Sequence, residues 1–249
     1  NGAVTGRMTH HSPNMAQVPS VSAPYGTECR SFWCVPEGHK LVGIDASGLE
    51  LRMLAHYMRD ENYTNEILSG DIHTANMKAA GLTDRSQSKT FIYAFLYGAG
   101  AAKIGQIVGG GYKEGQQLID SFLRNTPALA RLRERVAKFS AGGTLPSLDG
   151  RRLRVRSEHA ALNTLLQGAG AVVMKQALVL LASRLAAYDI PHKLVANVHD
   201  EFQIEVPENF ANVVGKAAVR AIRDAGTELN LRCPLDGEYK IGNNWAETH

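Results

Sequence analysis

The sequence LVANVHDEFQIEV, from Leu194 to Val206, decides the fold predicted for this chain. Apolar and polar residues alternate on both sides of His199, Asp200 and Glu201, which is the period-two pattern of two β-strands joined by a turn. We therefore predict a β-hairpin here. The adjacent carboxylates of Asp200 and Glu201 repel each other, which favours a nearby base or divalent metal ion. An ordinary polar turn fits this stretch equally well, because acidic side chains also suit turns through local hydrogen bonds.

A third carboxylate, Asp45, favours the metal interpretation. The sequence LVGID begins at Leu41 and predicts a short buried strand that ends at Asp45. Ser47 and Glu50 then form a capping box that opens a helix. An aspartate at a strand end and another in a hairpin can hold two magnesium ions about 3.5–4 Å apart, the arrangement that stabilises the attacking and leaving oxygens of phosphoryl transfer. Oxygen ligands are those that magnesium prefers.

The composition is that of an ordinary globular protein, with 249 residues of which 44% are hydrophobic. We expect no membrane-spanning segment, because the apolar runs are short and the first residues, NGAVTGRMTH, contain no signal-peptide core. That start lacks an initiator Met, which predicts that the chain begins inside a larger protein. Cys29, Cys34 and Cys233 form no CxxC pair, so neither a zinc site nor a disulfide framework is indicated and a reducing cytoplasm is expected.

Charge is distributed unevenly along the chain. Residues 85–156 contain 13 Lys and Arg but only 4 Asp and Glu, a net charge of +9, whereas the whole chain carries +3. The rest of the chain, which holds the candidate metal site, is therefore acidic at −6. A polyanion held near metal-binding carboxylates would explain both halves. The alternative is that solvated helix faces have collected Lys and Arg.

One face of the helix predicted from Arg85 to Gly98 is cationic and then aromatic. The face repeats every four residues and is formed by Arg85, Lys89, Tyr93 and Tyr97. Phe91 and Phe95 point away from it, toward a core. Arg85 and Lys89 could grip a triphosphate, and Tyr93 could stack against a base or sugar. A merely solvated surface helix is the alternative.

The remaining predicted elements are mostly helical. The predicted helices run from Gly48 to Arg59, from Asp71 to Gly81, from Leu118 to Phe139 with a break at Pro127, from Ala160 to Tyr188 and from Phe210 to Ile222. Val213 is expected on the buried face of the last of these helices. The sequence SLDGRRLRVR predicts a basic hairpin, and Leu231 to Leu235 predict a last strand. Asn163 and Gln167 share a helix face and could bond each other, bond a neighbouring loop or read acceptors in a DNA minor groove. Arg7 lies in an extended segment that could reach a nucleic-acid backbone, although a polar loop is the simpler interpretation.

Three of these segments, DASGLELR, RSQSKTFIYAFLYG and VHDE, together resemble motifs A, B and C of the family A, or polymerase I-like, DNA polymerases, nearest to the phage replicative type. TGRMTH with PNMAQVP, and LNTLLQGAG, resemble that family's primer–template contact segments. The resemblance implies an α+β fold, in which a polymerase palm of antiparallel sheet and covering helices spans residues 1–60 and 157–249. Helical fingers, residues 61–156, are inserted in it. The thumb and the exonuclease are expected to precede Asn1 and to be absent.

The resemblance also implies the site residues. Asp45 and Asp200 would bind two catalytic Mg²⁺ ions, with the Ala46 carbonyl as a further ligand and Glu201 close by. The residues implied to bind the incoming nucleotide are His73, Arg85, the catalytic Lys89, Tyr93 and, at the 2′ position of the sugar, Glu50. The residues implied to contact the primer–template are Arg7, Tyr97, Asn163, Gln167 and His199.

The function implied by the resemblance is template-directed DNA synthesis, by two-metal nucleotidyl transfer from deoxynucleoside triphosphates to a primer 3′-OH. Primer–template DNA and dNTPs are the implied partners, no membrane is involved, and a processivity factor would bind through the thumb. We expect a monomeric phage protein in a bacterial cytoplasm. Two alternatives stay open. One is a single-subunit RNA polymerase, which Glu50 and Glu201 argue against, and the other is a catalytically silent DNA-binding fragment.

Overall fold

A computed structural model of the chain describes residues 2–249, so Asn1, where the predicted palm begins, lies outside the described residues. The chain divides into two compact units. The first unit consists of the stretches up to residue 49 and from residue 170 to 249, and the second consists of residues 50–169. The second unit is therefore continuous in sequence and is inserted into the first.

Six strands and ten α-helices form most of the regular structure in the described residues. The strands are β1 (His39–Ala46), β2 (Thr144–Pro146), β3 (Arg152–Arg154), β4 (Lys193–Val198), β5 (Glu201–Pro207) and β6 (Gly237–Gly242). The α-helices are α1 (Gly26–Ser31), α2 (Leu49–Met58), α3 (Glu61–Leu68), α4 (Ile72–Ala80), α5 (Arg85–Leu96), α6 (Ala101–Gly105), α7 (Tyr112–Asn125), α8 (Pro127–Ser140), α9 (Ala161–Ala187) and α10 (Ala211–Glu228).

An antiparallel sheet of order β4-β5-β1-β6 organises the first unit. The predicted hairpin is confirmed, because β4 and β5 pair with Val198 opposite Glu201. Burial along the hairpin follows position in the sheet rather than strict alternation. The inner strand β5 is buried along most of its length, whereas Leu194 and Val195 on the edge strand β4 are 43% and 51% exposed.

Helix α10 packs on this sheet as predicted, but its buried face differs from the prediction in one residue. Val214, Ala218 and Ile222 are fully buried, whereas Val213 is 52% exposed. Successive helical residues lie about 100° apart, so Val213 and Val214 cannot both face the sheet. Close contact with the sheet depends on Gly215, since a Cβ atom there would lie 2.2 Å from the Tyr239 ring.

The last strand was predicted wrongly. The segment from Leu231 to Leu235 is irregular, and the strand β6 begins only at Gly237. Cys233 and Leu235 are buried, so their alternation comes from packing of a loop rather than from a strand. Pro234 between them has no N–H to donate to a sheet ladder.

The predicted helices of the second unit lie close to their predicted positions, and the structure adds α3 and α6, which the sequence analysis did not predict. Asp71 caps α4 by accepting hydrogen bonds from two backbone N–H groups, and Gly81 ends it in the left-handed conformation at φ 77°. Phe91 and Phe95 of α5 are buried and both contact Phe122 edge-to-face, at ring-centroid distances of 5.2 and 5.4 Å. The predicted break at Pro127 is confirmed, since α8 begins there, while α7 begins six residues earlier than predicted.

The basic hairpin is also confirmed. Strands β2 and β3 pair around a turn in which Gly150 has φ 82°. Arg152 and Arg154 lie on the exposed face, and Leu153 between them is buried. The hairpin therefore presents two guanidinium groups, two residues apart, to solvent.

The long helix α9 departs from the expectation that no apolar run reaches the length of a membrane span. With the turn before it, it forms a 30-residue helical stretch, Glu158–Ala187, that is long and apolar enough to cross a membrane by length and composition. However, 61% of its most apolar window is buried within the protein. Burial of this extent is typical of a core helix.

Candidate active site

Three carboxylates lie side by side across one end of the sheet in the first unit. Asp45 on β1 is directly opposite Glu201 on β5 and Glu238 on β6, and directly opposite residues share a face of a sheet. Asp200 precedes Glu201, and its backbone carbonyl accepts a hydrogen bond from the Ala46 N–H at 3.1 Å. The structure thus gathers the predicted metal ligands and adds Glu238, which sequence reasoning missed because its strand had been placed too early.

The proximity of these acidic groups alters their protonation. Burial, followed by repulsion from the neighbouring carboxylates, raises the pKa of Asp45 to about 7. The Asp45 side chain remains solvent-exposed and keeps part of its hydration, which leaves the repulsion from its neighbours as a substantial cause of the raised pKa. Burial also raises the pKa of Asp200, and the charges of Arg7 and His199 oppose this change. Arg7 and His199, two of the five predicted DNA-contacting residues, therefore lie near Asp200.

The donors at this end of the sheet fit a hard divalent cation. They are oxygen atoms only, and their repulsion leaves negative charge that a cation would neutralise. Within the described part of the chain, no group of three or more His, Cys, Asp or Glu side chains is gathered closely enough to hold a metal ion by itself. Magnesium is usually bound through one or two protein carboxylates, with water and substrate phosphates completing its shell. Asp45 and Asp200 suit that mode of binding.

The raised pKa of Asp45 predicts how stability depends on pH when no metal is bound. The folded protein binds this proton more tightly than the unfolded chain, so the free energy of unfolding should fall as pH rises from about 4, the ordinary value, through about 7. We expect the melting temperature measured in EDTA to fall over this pH range. The fall should be smaller in the Asp45→Asn variant, and also smaller for the unaltered protein in the presence of Mg²⁺. Melting curves across this pH range test the prediction, and an equal pH slope in the Asp45→Asn variant would contradict it.

The cationic and aromatic face predicted on α5 lies in the second unit. Arg85 and Lys89 are exposed, Tyr93 is half-buried, and Tyr97, directly after the helix, is 48% exposed. The rings of Tyr93 and Tyr97 stack with centroids 6.5 Å apart and planes inclined by 27°. The His73 ring lies 6.4 Å from Tyr93. The structure therefore brings these five predicted nucleotide- and template-contacting residues onto one continuous surface.

Arg85 is held by a partner that sequence reasoning recognised only as a helix cap. Its Nε donates to Asp71 Oδ2 at 2.7 Å and a terminal nitrogen donates to Oδ1 at 3.0 Å. Hydrogen bonds from Arg85, and then from Thr74, hold the pKa of Asp71 well below its ordinary range. A guanidinium has five N–H donors, so Arg85 keeps donors for a further anion while it joins α4 to α5.

The surroundings of His73 favour the neutral form of its imidazole. Burial, and then the positive charges of Arg85 and Lys89, lower the pKa of its imidazole. Its backbone carbonyl accepts a hydrogen bond from the Ser88 hydroxyl at 2.9 Å, which ties α4 to α5. A neutral imidazole can donate a hydrogen bond to a phosphate oxygen without adding to the positive charge already present.

Glu50, at the start of α2, is held by Tyr97. The Tyr97 hydroxyl lies 3.1 and 3.0 Å from the two carboxylate oxygens of Glu50. The capping box with Ser47 stays a prediction. Sequence reasoning assigned Glu50 and Tyr97 separate roles and missed their contact, since 47 positions separate them and no periodic pattern joins them.

Apart from Tyr97, the predicted DNA-contacting residues fall into two sets. Arg7 and His199 belong to the first unit, where His199 adopts φ 56° in the hairpin turn. Asn163 and Gln167 belong to the second unit and are half-buried, one helical turn apart on α9. The contact of the His10 ring with the Asn197 carbonyl, at 2.9 Å, holds the extended segment around Arg7 beside β4.

Comparison with known proteins gives consistent results. The sequence profile described as "DNA polymerase family A" matches residues 1–247. The DNA-directed DNA polymerases of Escherichia phage T7 and Enterobacteria phage T3 are 47% and 46% identical, each over 100% of this chain and 40% of the relative. The chain thus spans about 40% of the length of these curated relatives.

A solved structure, titled as the POL domain of Pol1 from M. smegmatis in complex with DNA primer-template and dNTP, superposes with a TM-score of 0.88. It is 23% identical in sequence, and the match covers 99% of this chain and 47% of that one. This likeness confirms the predicted α+β fold of antiparallel sheet and helices.

Proposed function

The chain belongs to DNA polymerase family A, and on that premise we propose that it carries out template-directed DNA synthesis. A primer 3′-OH would form a phosphodiester bond with the α-phosphate of a deoxynucleoside triphosphate, with release of pyrophosphate, by two-metal nucleotidyl transfer. The observation that carries the proposal is the meeting of Asp45 and Asp200 at one end of the sheet, where repulsion among oxygen donors favours a bound divalent cation.

We assign the palm to residues 1–60 and 157–249 and the fingers to residues 61–156. The division into compact units supports an inserted fingers subdomain, because its first unit is likewise discontinuous and its second is likewise inserted. The unit boundaries, after residues 49 and 169, fall at the start of α2 and within α9.

Asp45, Asp200 and the carbonyl of Ala46 would hold the magnesium ions. When bound, the ions stabilise the charge on the attacking and leaving oxygens of the transfer. The chain's own contribution is to fix Asp45 on β1 and Asp200 in the turn that joins β4 to β5. The hydrogen bond from the Ala46 N–H to the Asp200 carbonyl keeps the hairpin turn beside the end of β1.

The exposed face of α5 would bind the incoming nucleotide. Lys89 would neutralise charge developing on the phosphates, Arg85 would offer the donors that Asp71 leaves free, and neutral His73 would donate a hydrogen bond. Tyr93 would stack on the nucleotide and Tyr97 would lie near the template base. The support is the clustering of three nitrogen-bearing side chains next to two stacked tyrosine rings.

Polar side chains would contact the primer–template. Arg7 and His199 would act in the first unit, and Asn163 and Gln167 in the second, where amides can contact minor-groove acceptors without sequence preference. We further propose a monomer that acts in the cytoplasm of a bacterial host. A processivity factor would engage it through a thumb subdomain.

Glu50 provides a test of how the site selects its sugar. A carboxylate fixed by Tyr97 beside the sugar leaves no room for a 2′-hydroxyl, so Glu50→Ala should raise ribonucleotide use relative to deoxynucleotide by about tenfold or more, a discrimination of roughly 1.4 kcal/mol. Glu50→Gln keeps the length of the side chain and an acceptor for Tyr97, and should change the ratio little. The measurement is the ratio of kcat/KM for matched ribo- and deoxynucleotides. If the melting temperature falls while this ratio is unchanged, Glu50 is only a helix cap.

Primer extension by the full-length protein tests the proposed function itself. We expect extension with deoxynucleotides and Mg²⁺ and none in EDTA, with primer–template binding in both conditions. Binding without any extension would favour a catalytically silent DNA-binding protein. Extension that prefers ribonucleotides would favour an RNA polymerase.

A further inference from the structure

The carboxylate of Glu201 is held by donors of the protein rather than left free beside Asp45. The Trp245 indole N–H donates to Oε1 at 2.7 Å, and the Gln203 amide donates to the same oxygen at 2.5 Å. The His249 Nε2 atom lies 3.1 Å from Oε2. An ionised carboxylate has about four acceptor positions, so these contacts occupy most of them.

Trp245 is itself firmly fixed. It is 2% exposed and packs with Leu41 and Val198 in the core of the sheet. Its backbone N–H donates to the Trp33 carbonyl at 3.0 Å. The guanidinium of the buried Arg30 lies over its ring, 4.2 Å from the centroid. A donor held on several sides loses little conformational entropy when it bonds Glu201.

Gln203 is oriented by a second set of contacts. The Thr248 hydroxyl lies 3.1 Å from the Gln203 side-chain oxygen, so the amide nitrogen faces Glu201. Gly43 is directly opposite Gln203 in the sheet, and a Cβ atom there would lie 2.6 Å from both Gln203 Nε2 and Thr248 Cβ. Glycine at this position therefore makes room for the contact.

From this geometry we propose that Trp245 is a positioning residue for the candidate metal site: together with Gln203 it anchors the Glu201 carboxylate, and through it the turn that presents Asp200. The inference rests on the proposed function, because it concerns the metal ligands named there. It also assigns Glu201 to the anchoring of the turn rather than to direct binding of the cation, since a cation would have to displace the donors already in place.

The physical reason is the repulsion between Glu201 and Asp45 across the sheet. Glu201 is only 7% exposed, and a buried carboxylate that loses a donor pays the cost of its desolvation. Without the indole N–H, repulsion would push Glu201 toward solvent. Asp200 is its chain neighbour and would move with it, which would weaken the Ala46 N–H bond to the Asp200 carbonyl.

The test compares the two tryptophans of the chain. Trp245→Phe keeps the aromatic packing against Arg30 and removes the N–H, whereas Trp33→Phe makes the same change at a partly exposed ring. In the full-length protein without DNA or nucleotide, Trp245→Phe should weaken Mn²⁺ binding, measured by electron paramagnetic resonance, by about tenfold, and Trp33→Phe should leave it unchanged. Amide hydrogen exchange at Ala46 should become about tenfold faster relative to Val42 within the same strand.

Unchanged Mn²⁺ affinity and unchanged Ala46 exchange in Trp245→Phe would overturn the inference. So would a greater loss of Mn²⁺ affinity in Glu201→Gln, which keeps an oxygen for the indole, than in Glu238→Gln, which removes the same charge opposite Asp45, because Glu201 would then be a ligand. If Trp245→Phe does not fold, Thr248→Val should shift both readouts in the same direction by about threefold. No shift in either readout would then overturn the inference. Absence of Mn²⁺ binding by the unaltered protein would instead refute the metal site, while Ala46 exchange would still report on the anchor.

Discussion

Replacement of Asp45 or Asp200 by asparagine is expected to slow nucleotide addition by about a thousandfold and to leave primer–template affinity within a few fold. A metal ion contributes several kcal/mol of charge stabilisation to the transition state, and about 4 kcal/mol corresponds to a thousandfold in rate. Asparagine keeps the size of the side chain and removes its charge. Single-turnover extension and equilibrium binding to the same primer–template provide the two measurements.

Glu238→Gln is the matched control for this experiment. Glu238 is directly opposite Asp45 on β6 and contributes to the same negative field, but it is not among the proposed ligands. Glu238→Gln should therefore slow nucleotide addition far less than Asp45→Asn does. Near-normal extension by either aspartate variant would refute the metal assignment. Equal losses of extension rate in the Glu238 and Asp45 variants would show that the total negative charge of the site, rather than metal binding by Asp45, determines the rate.

Lys89→Ala should reduce nucleotide addition by roughly ten- to a hundredfold, with little effect on duplex binding. A charge-assisted hydrogen bond to phosphate contributes about 1.5–3 kcal/mol, which corresponds to that range of rates. Among the described residues Lys89 forms no ion pair, in contrast to Arg85, whose substitution would also release Asp71. Lys89→Ala therefore separates nucleotide binding from fold stability more cleanly.

Lys103→Ala serves as the control for Lys89, since Lys103 is an exposed lysine of the same unit, on α6. It should leave both nucleotide addition and duplex affinity unchanged. An equal loss of the two activities in Lys89→Ala would place Lys89 on the duplex rather than on the triphosphate.

Local patterns were sufficient to predict the elements that carry the site. The hairpin around Asp200, the strand that ends near Asp45 and the helices that begin after Asp71 and Asp84 all have signals within a few residues of their bounds. Alternation, caps and four-residue repeats are local properties, so one sequence reveals them. The wrong last strand shows the limit, because buried residues around Pro234 imitate the same alternation.

Contacts between distant positions could not be predicted in this way. Glu238 opposite Asp45, Trp245 against Glu201 and Tyr97 against Glu50 each join residues more than 40 positions apart. No periodicity relates such pairs, and only the closed sheet and the packed helices bring them together. The residue types at the site were therefore predictable, whereas the groups that hold them in place were not.

The insertion of one unit into the other has a consequence for how the protein is made. β1 pairs with residues 201–207 and 237–242, so the sheet of the first unit cannot close until residue 242 has left the ribosome. The second unit is continuous in sequence and can fold during synthesis, because residues 50–169 cluster into one compact unit. Pairing over such separations is slow, since the loop-closure entropy is lost before the contacts form. Asp45 and Asp200 therefore come together only after the hairpin of β4 and β5 has been made, and a nascent chain that ends before Asp200 holds one aspartate without the other.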